Sequence, residues 1–437
     1  MNYSPVKTII LFFLGLIAIG SVLLSLPVSR NQGFDFSFFS NLFTSTSAVC
    51  VTGLSLKPIG EYYSVFGQTV ILFLVQLGGL GYMFVSTVVA LLIGKMSLKD
   101  RRILQEIFDI SSFSDLKKLI SKALIFVLGI EAAGAAVLTL VFLKEYSFVK
   151  ALYLGIFHAV SGFCNAGFSP FSNSLEGYAS SPALLYTIAA MIILGGLGFF
   201  VLVDLYDSYK NKTHLSLHSK VVLYMTAGII VVSFLFFFFS RETGFISGKG
   251  IWFAVNNSFF QAISARNAGF NSVPMAIFNE FTEIILIFLM SIGAGPGSTA
   301  GGLKVTTLAL VFIFVKSVIK AEDDFVIFKR RIPDDLIKKA LVIFVIFVAA
   351  VAVLSAILVL LEADKRPIDI VFEAVSAFGT VGFSIGITPG LSASGKIIII
   401  LAMLAGRLGI LMLLISMLTA VTKHKNIKYP ESRILVG

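Results

Sequence analysis

The sequence predicts an all-α integral membrane protein of eight transmembrane helices in four pseudo-fourfold repeats. Three observations predict it: a composition too apolar for water, eight apolar segments of spanning length, and a short glycine-bearing motif that recurs four times. Of 437 residues, 57% are hydrophobic and 13% charged, against about 45–50% and about 25% in soluble domains. The mean hydropathy is +0.95. A soluble fold needs a charged skin that this chain cannot supply. Soluble enzymes and disordered chains are therefore excluded, and Cys50 and Cys164 alone cannot form a disulfide framework. Continuous apolar runs such as Ile9–Leu26 and Leu341–Leu361 also exclude a β-barrel, whose strands alternate apolar and polar residues.

The elements follow in order. A spanning helix needs about 20 apolar residues, and the segments that qualify are 8–28, 65–94, 118–143, 183–206, 220–240, 281–319, 338–361 and 396–421. The first follows a single Lys7 and lacks an Ala-x-Ala-like exit, so it reads as a span and not a cleaved signal peptide. Within each successive pair of spans lies a shorter mixed segment: Asp35–Ser55, Phe148–Ser169, Ile251–Asn271 and Ile368–Ser384. Each starts with a helical dozen residues and turns polar, too short to span and too polar for lipid. The net charge of +10 suggests no nucleic acid, because the basic residues follow the even-numbered spans: seven in Lys95–Lys122, three in Lys210–Lys220, seven in Lys316–Lys339 and four in Lys423–Arg433. By the positive-inside rule both termini are cytoplasmic and the mixed segments dip in from outside.

The four mixed segments align. They read Ser47-Ala48-Val49-Cys50-Val51-Thr52-Gly53-Leu54-Ser55, Ser161-Gly162-Phe163-Cys164-Asn165-Ala166-Gly167-Phe168-Ser169, Ile263-Ser264-Ala265-Arg266-Asn267-Ala268-Gly269-Phe270-Asn271 and Ser376-Ala377-Phe378-Gly379-Thr380-Val381-Gly382-Phe383-Ser384. The glycines are spaced by 114, 102 and 113 residues, so one unit of helix, pore loop and helix is used four times: residues 1–112, 113–216, 217–332 and 333–437. A turn glycine at an interface explains one such loop but not four in register. A potassium filter replaces the ion's hydration with backbone carbonyls from loops around one central pore. Glycine permits that backbone turn. The C-terminal ends of the preceding half-helices would favour a cation. Thr380-Val381-Gly382-Phe383 lies closest to the T-V-G-Y-G pattern. The candidate filter is therefore Val51, Thr52 and Gly53; Asn165, Ala166 and Gly167; Asn267, Ala268 and Gly269; Thr380, Val381 and Gly382, with potassium held at the four glycines.

With these loops on view, nearly the whole chain resembles the Trk/Ktr/HKT superfamily of cation transporters, most of all the Ktr-type potassium-translocating membrane subunit. The resemblance extends to Gly78-Gly79-Leu80-Gly81, Gly195-Gly196-Leu197-Gly198, the stretch Ile292–Lys304, which looks like the family's intramembrane gating loop, and Arg407, which looks like its membrane-embedded arginine. It implies potassium uptake in the plasma membrane, stimulated by sodium in some members, by a homodimer with one pore per subunit and a cytosolic nucleotide-binding regulatory subunit of RCK type. No covalent cofactor is implied. Plant relatives with Ser at the first filter glycine prefer sodium, and Gly53 here implies potassium. Physics supports the gate reading. Gly293, Gly295, Gly297 and Gly301, with Pro296 and Ser298, forbid a straight helix, and a broken span must line a cavity or be buried in protein. Lys304 and Arg407 are costly in a bilayer and so are functional candidates. Snorkelling would explain Lys304 equally, and broken-helix carbonyls could neutralise Arg407.

Weaker signals stand beside these. Gly382-Phe383-Ser384-Ile385-Gly386 matches a hydrolase elbow without its strand–turn–helix context, and an enzyme using Ser384 or His158 lacks a matched acid–base set. Gly295–Ala300 mimics a dinucleotide motif without a preceding strand. His158 and Glu131 read as structural. Cys50, Cys164 and Arg266 share one register, three residues before a loop glycine, and Arg266 requires a carbonyl or carboxylate partner. The glycines of spans two and four suit close helix packing. The basic loops suit either a protein partner or anionic membrane lipid. The rival to a channel-like conduit is an alternating-access secondary cation transporter with a midplane site, which predicts inverted halves where these repeats share one orientation.

Overall fold

A computed structural model describes residues 5–93, 113–240 and 249–409. Its helices are α1 (Pro5–Ser25), α2 (Phe38–Val49), α3 (Ile59–Tyr62), α4 (Val65–Ile93), α5 (Phe113–Phe142), α6 (Phe148–Phe163), α7 (Pro182–Leu197), α8 (Phe199–Asn211), α9 (Leu217–Ser240), α10 (Ile251–Ser264), α11 (Glu280–Ser291), α12 (Val305–Ile319), α13 (Asp334–Leu361), α14 (Pro367–Gly379) and α15 (Ala393–Leu408). A two-residue antiparallel ribbon, Val326–Ile327 with Arg330–Arg331, joins α12 to α13. The fold is thus helical, as the composition requires.

Among the described residues, four helices are long and apolar enough to cross a membrane: Lys7–Ser25, Leu119–Phe142, Leu217–Ser240 and Asp334–Leu361. These are the first, third, fifth and seventh of the eight expected spans. They turn apolar side chains outward, with Ile125, Val232, Phe239 and Leu360 all exposed. In water that would be a liability; in lipid it is the ordinary solvent-facing surface.

The even-numbered segments depart from a straight-span reading. Gly81 in α4 has φ 75° and ψ 165° and kinks the helix. Gly198 has φ 95° and ψ 146°, and α7 and α8 meet at 95°. Segment six breaks between α11 and α12 across residues 292–304. The eighth stops at Leu408, before Gly409 with φ 80° and ψ 140°; its expected continuation to 421 lies outside the described residues, as do most of the 95–122 basic segment and the basic tail. The Gly-x-Leu-Gly stretches therefore serve two purposes. Their first glycines pack closely, since a Cβ on Gly78, Gly195 or Gly406 would strike the carbonyl of Val49, Phe163 or Phe378. Their last glycines stop the helix.

The interior inverts the usual polarity. The half-helices α2, α6, α10 and α14 fill the centre and bury hydroxyls and amides, among them Ser45, Thr46, Ser47, Ser161, Asn257, Gln261 and Ser376. Each packs against the long helices of its own repeat: α1 on α2, α5 on α6, α9 on α10, α13 on α14. Ser37, Asn279 and Ser392 cap α2, α11 and α15 through their side chains.

Candidate functional site

Each half-helix ends in the same turn. Val51, Asn165, Asn267 and Thr380, each two residues before a loop glycine, take left-handed backbone with φ of 55°, 56°, 60° and 53°. For β-branched Val51 and Thr380 this is costly, about 1–3 kcal/mol each, and persists only where surroundings enforce it. Enforcement is local. Thr52, Ala166 and Val381 donate backbone N–H to the carbonyls of Ser47, Ser161 and Ser376, each at 2.8 Å, and Ala268 donates to Ser264 at 3.1 Å. The same serines reach past the turn: Ser47 Oγ accepts from Gly53 N at 3.0 Å, Ser376 Oγ from Gly382 N at 3.1 Å, and Ser161 Oγ donates to Phe168 O at 2.8 Å.

The four turns then meet. A Cβ on Gly53 would stand 2.5 Å from Ala166 O, and one on Gly167 2.8 Å from Ala268 O. A Cβ on Gly269 would collide with Val381 O, and one on Gly382 with Thr52 O. The contacts run 53 to 167 to 269 to 382 and back to 53, a closed ring. Positive φ (97°, 68°, 72°, 95°) and this closeness both require glycine at these positions. At each join lies the carbonyl of the residue before the next glycine.

A cavity of about 320 Å³ opens on one side of the ring, lined by all four glycines and by Ser55, Ser169, Asn271, Ser384 and Thr388. Another, of about 260 Å³, lies on the opposite side, lined by Gly79, Gly81, Gly297, Gly301, Lys304 and Arg407. Between ring and second cavity sits the broken stretch of segment six. Thr299 Oγ1 accepts from Asn165 Nδ2 at 2.8 Å, and Gly301 N donates to Thr380 Oγ1 at 3.1 Å. Gly295 N donates to Gly196 O at 2.8 Å, and Phe199 N to Gly297 O at 3.1 Å. Ring, stretch 292–304 and the kink of α7 thus share hydrogen bonds.

Arg407 pins this stretch from the far side. Its guanidinium donates to Thr299 O, to Gly78 O, and to Gly79 O at 3.0 Å. Carbonyls from two broken segments therefore disperse the charge. Lys304 Nζ does not extend away from the stretch; it donates to Ala300 O at 2.8 Å and lines the second cavity.

Other singled-out residues have plain places. Glu131 Oε2 accepts from Gln76 Nε2 at 3.2 Å, and Cys164 Sγ donates to Gln76 Oε1 at 3.4 Å. Cys50 and Cys164 are buried and free. Arg266 is buried with Nε unpartnered, beside a small void shared with Thr226 and Ala294, and no carboxylate pairs with it among the described residues. Two features escaped sequence reasoning. Gly409 continues the pattern of helix breaks, which the repeated Gly-x-Leu-Gly at 406–409 could have revealed. Glu373 is buried on α14 and bonded to Ser384 in the turn. Its signal was positional, since it stands nine residues before Gly382, as His158 stands nine before Gly167.

A family profile, TrkH, described as a cation transport protein, matches residues 5–429. The chain belongs to this family. It is 38% identical over 442 residues to the potassium/sodium uptake protein NtpJ of Enterococcus hirae, covering 99% of this chain and 97% of that protein. It is 36% identical to the Ktr system potassium uptake protein B of Bacillus subtilis, covering 100% and 98%. Among solved structures, the potassium transporter TrkH of Vibrio parahaemolyticus superposes with a TM-score of 0.72 at 19% identity over 97% of this chain and 86% of that one, a likeness of fold. A member of this family of cation transport proteins is a membrane protein and not an enzyme. The elbow-like run around Ser384 is accordingly accidental, and its hydroxyl is engaged by Glu373 and Thr388.

Proposed function

We propose that this chain carries potassium into the cell across the plasma membrane, through a channel-like filter at the ring of Gly53, Gly167, Gly269 and Gly382. The closed ring of four glycine turns is the observation that carries the reading. A bare monovalent cation needs a cage of oxygens to replace its water, and four carbonyl-bearing turns around one axis supply that cage without an acidic residue in the four aligned loops. The relatives named for potassium and for potassium/sodium uptake favour the same cargo, with sodium as a second ion. Stretch 293–304, pinned by Arg407, serves as the gate: it lies between the ring and the cavity on its far side, and the cation of Lys304 repels a permeating ion there. Eight crossings in the repeats 1–112, 113–216, 217–332 and 333–437, with both termini cytoplasmic, follow from the basic segments after every even span. A homodimer and an RCK-type cytosolic regulatory subunit complete the proposal, the basic face being their docking surface alongside anionic lipid.

The test is tracer uptake into proteoliposomes, with potassium and sodium compared. Gly382→Asp forces a side chain against Thr52 O at positive φ, and we expect potassium uptake to fall at least about tenfold, the equivalent of about 1.4 kcal/mol. Unchanged uptake and unchanged ion preference would remove the ring from the ion path. Alternating access would instead give slow, saturating exchange.

A further inference from the structure

Two of the four half-helices carry a titratable side chain nine residues before the ring glycine: His158 on α6 and Glu373 on α14. Both are buried. Both reach back to the hydroxyl two residues past the glycine, so each braces its turn from behind. His158 Nδ1 lies 2.8 Å from Leu154 O, which can only accept; in the neutral imidazole Nε2, 3.0 Å from Ser169 Oγ, then accepts the serine proton. In that form the brace carries no charge.

The brace in the fourth repeat differs. Glu373 Oε1 accepts from Ser384 Oγ, and Oε2 from Thr388 Oγ1 at 2.9 Å. Ser384 Oγ and Thr388 Oγ1 also lie 2.9 Å from each other, with either able to donate, so the carboxyl group and the two hydroxyls close one hydrogen-bonded triangle. With both hydroxyl protons turned to the carboxyl group, Glu373 is held as a carboxylate, an acceptor with no proton of its own. Ser384 Oγ also accepts from Gly386 N at 2.9 Å, which fixes the rest of the turn. Among the described residues no ion pair reaches Glu373. The cation nearest in sequence, Arg366, just before α14, is spent on Asp369 at 2.7 Å and on Glu280 and Glu283 at 3.5 and 3.6 Å. A buried carboxylate with hydroxyl partners and no cation is expensive unless something positive comes close. Ser384 and Thr388 line the 320 Å³ cavity together with the four ring glycines, Lys57 and Glu176; Lys57 forms no ion pair with Glu373 among the described residues, and the other positive charge that this cavity admits on the proposed reading is the permeating ion.

We propose that Glu373 is a positioning residue of the outer mouth. It holds the fourth turn through Ser384 and Thr388, and its charge attracts the cation entering the ring. This rests on the ring being the ion's path. It makes the four repeats unequal: the fourth carries the charge, the second a neutral copy of the same brace, while the residue nine before the glycine is Thr44 in the first and Phe260 in the third.

Potassium uptake into proteoliposomes tests it, read as the half-saturating concentration and the maximal rate separately. In Glu373→Gln the charge is gone and the amide NH₂ faces a hydroxyl that used to donate. The half-saturating potassium concentration should rise about tenfold, with the maximal rate within about twofold of wild type. Glu373→Asp should recover part of the shift, which a merely structural role would not predict. Ser384→Ala with Thr388→Val keeps the charge and loosens the turn, and should lower the preference for potassium over sodium. That double variant decides the matter if Glu373→Gln does not reach the membrane. An unchanged half-saturating concentration in Glu373→Gln, or an unchanged ion preference in the double variant, overturns the inference. Gly382→Asp, run alongside, separates the layers. If it abolishes uptake while the Glu373 variants behave as wild type, only this inference fails. If it too behaves as wild type, the filter reading fails with it.

Discussion

Removing the Arg407 side chain should open the path. The guanidinium makes one bond to stretch 292–304, at Thr299 O, and two to α4, at Gly78 O and Gly79 O. It is thus a strap between the broken stretch and the kink of segment two. Hydrogen bonds from a charged donor contribute about 1.5–3 kcal/mol each. Counting only the bond to Thr299, Arg407→Ala weakens the closed arrangement by about 2 kcal/mol, about 30-fold in the closed-to-open ratio. Starting from about 1% open, close to a quarter of the molecules would then conduct, so basal uptake should rise about 20-fold. Arg407→Lys should fall between, because one ammonium cannot serve carbonyls on two segments as a planar fork does. The assay is rubidium-tracer uptake into proteoliposomes without any partner protein, normalised to inserted protein. Basal uptake equal to or below wild type in a well-inserted Arg407→Ala would refute the strap, and with it the notion that 292–304 obstructs the path.

Two further predictions follow from the same kind of accounting. Thr299→Val removes the acceptor of Asn165 Nδ2 and should raise basal uptake about fivefold or more, for a loss of about 1–3 kcal/mol; a fall would place Thr299 in service of the ring and not of the gate. At the C-terminal end of α13, burial alone would raise the Glu362 carboxyl, but the Ser392 hydroxyl (2.5 Å) and N–H (2.8 Å) and Lys365 (3.3 Å) hold it below the usual carboxylate range. A lowered folded pKa gives stability that is present above the unfolded value, about 4.3, and is lost as pH falls through the folded one. Glu362→Gln should therefore lower the thermal midpoint at neutral pH, by about 1–3 kcal/mol of stability, and the gap should close on acidification; a gap that persists at acid pH would sink this account.

The sequence was legible where the backbone itself imposes the residue. The four turns were visible because positive φ and a neighbour's carbonyl leave room only for glycine, so the motif recurs with its spacing. The long odd-numbered helices were visible because lipid dictates continuous apolarity. The breaks in the even segments were harder to see: Gly81, Gly198 and Gly409 stand in apolar runs that hydropathy alone reads as unbroken helix, and only the conformation at one glycine separates the two. Arg407 could be recognised as costly, yet its acceptors come from segments 329 and 108 residues away, beyond any local pattern. Glu373 was missed for the opposite reason. Its partner is only eleven residues on, but the chain reverses between them, and neither helical nor strand periodicity describes that reversal.

The kinks at Gly81, at Gly198 and across 292–304 have a mechanical corollary. Above them the turns are clasped carbonyl to glycine, so the ring behaves as one rigid collar. Beyond them the later half of α4, α8 and α12 run on as distinct helical pieces, α8 packed on α5 and α9 and α12 on α9 and α13. On the proposed reading, a force applied on the side of the second cavity shifts these pieces while the ring keeps its shape, so that opening and ion choice would be tuned by different parts of the same chain.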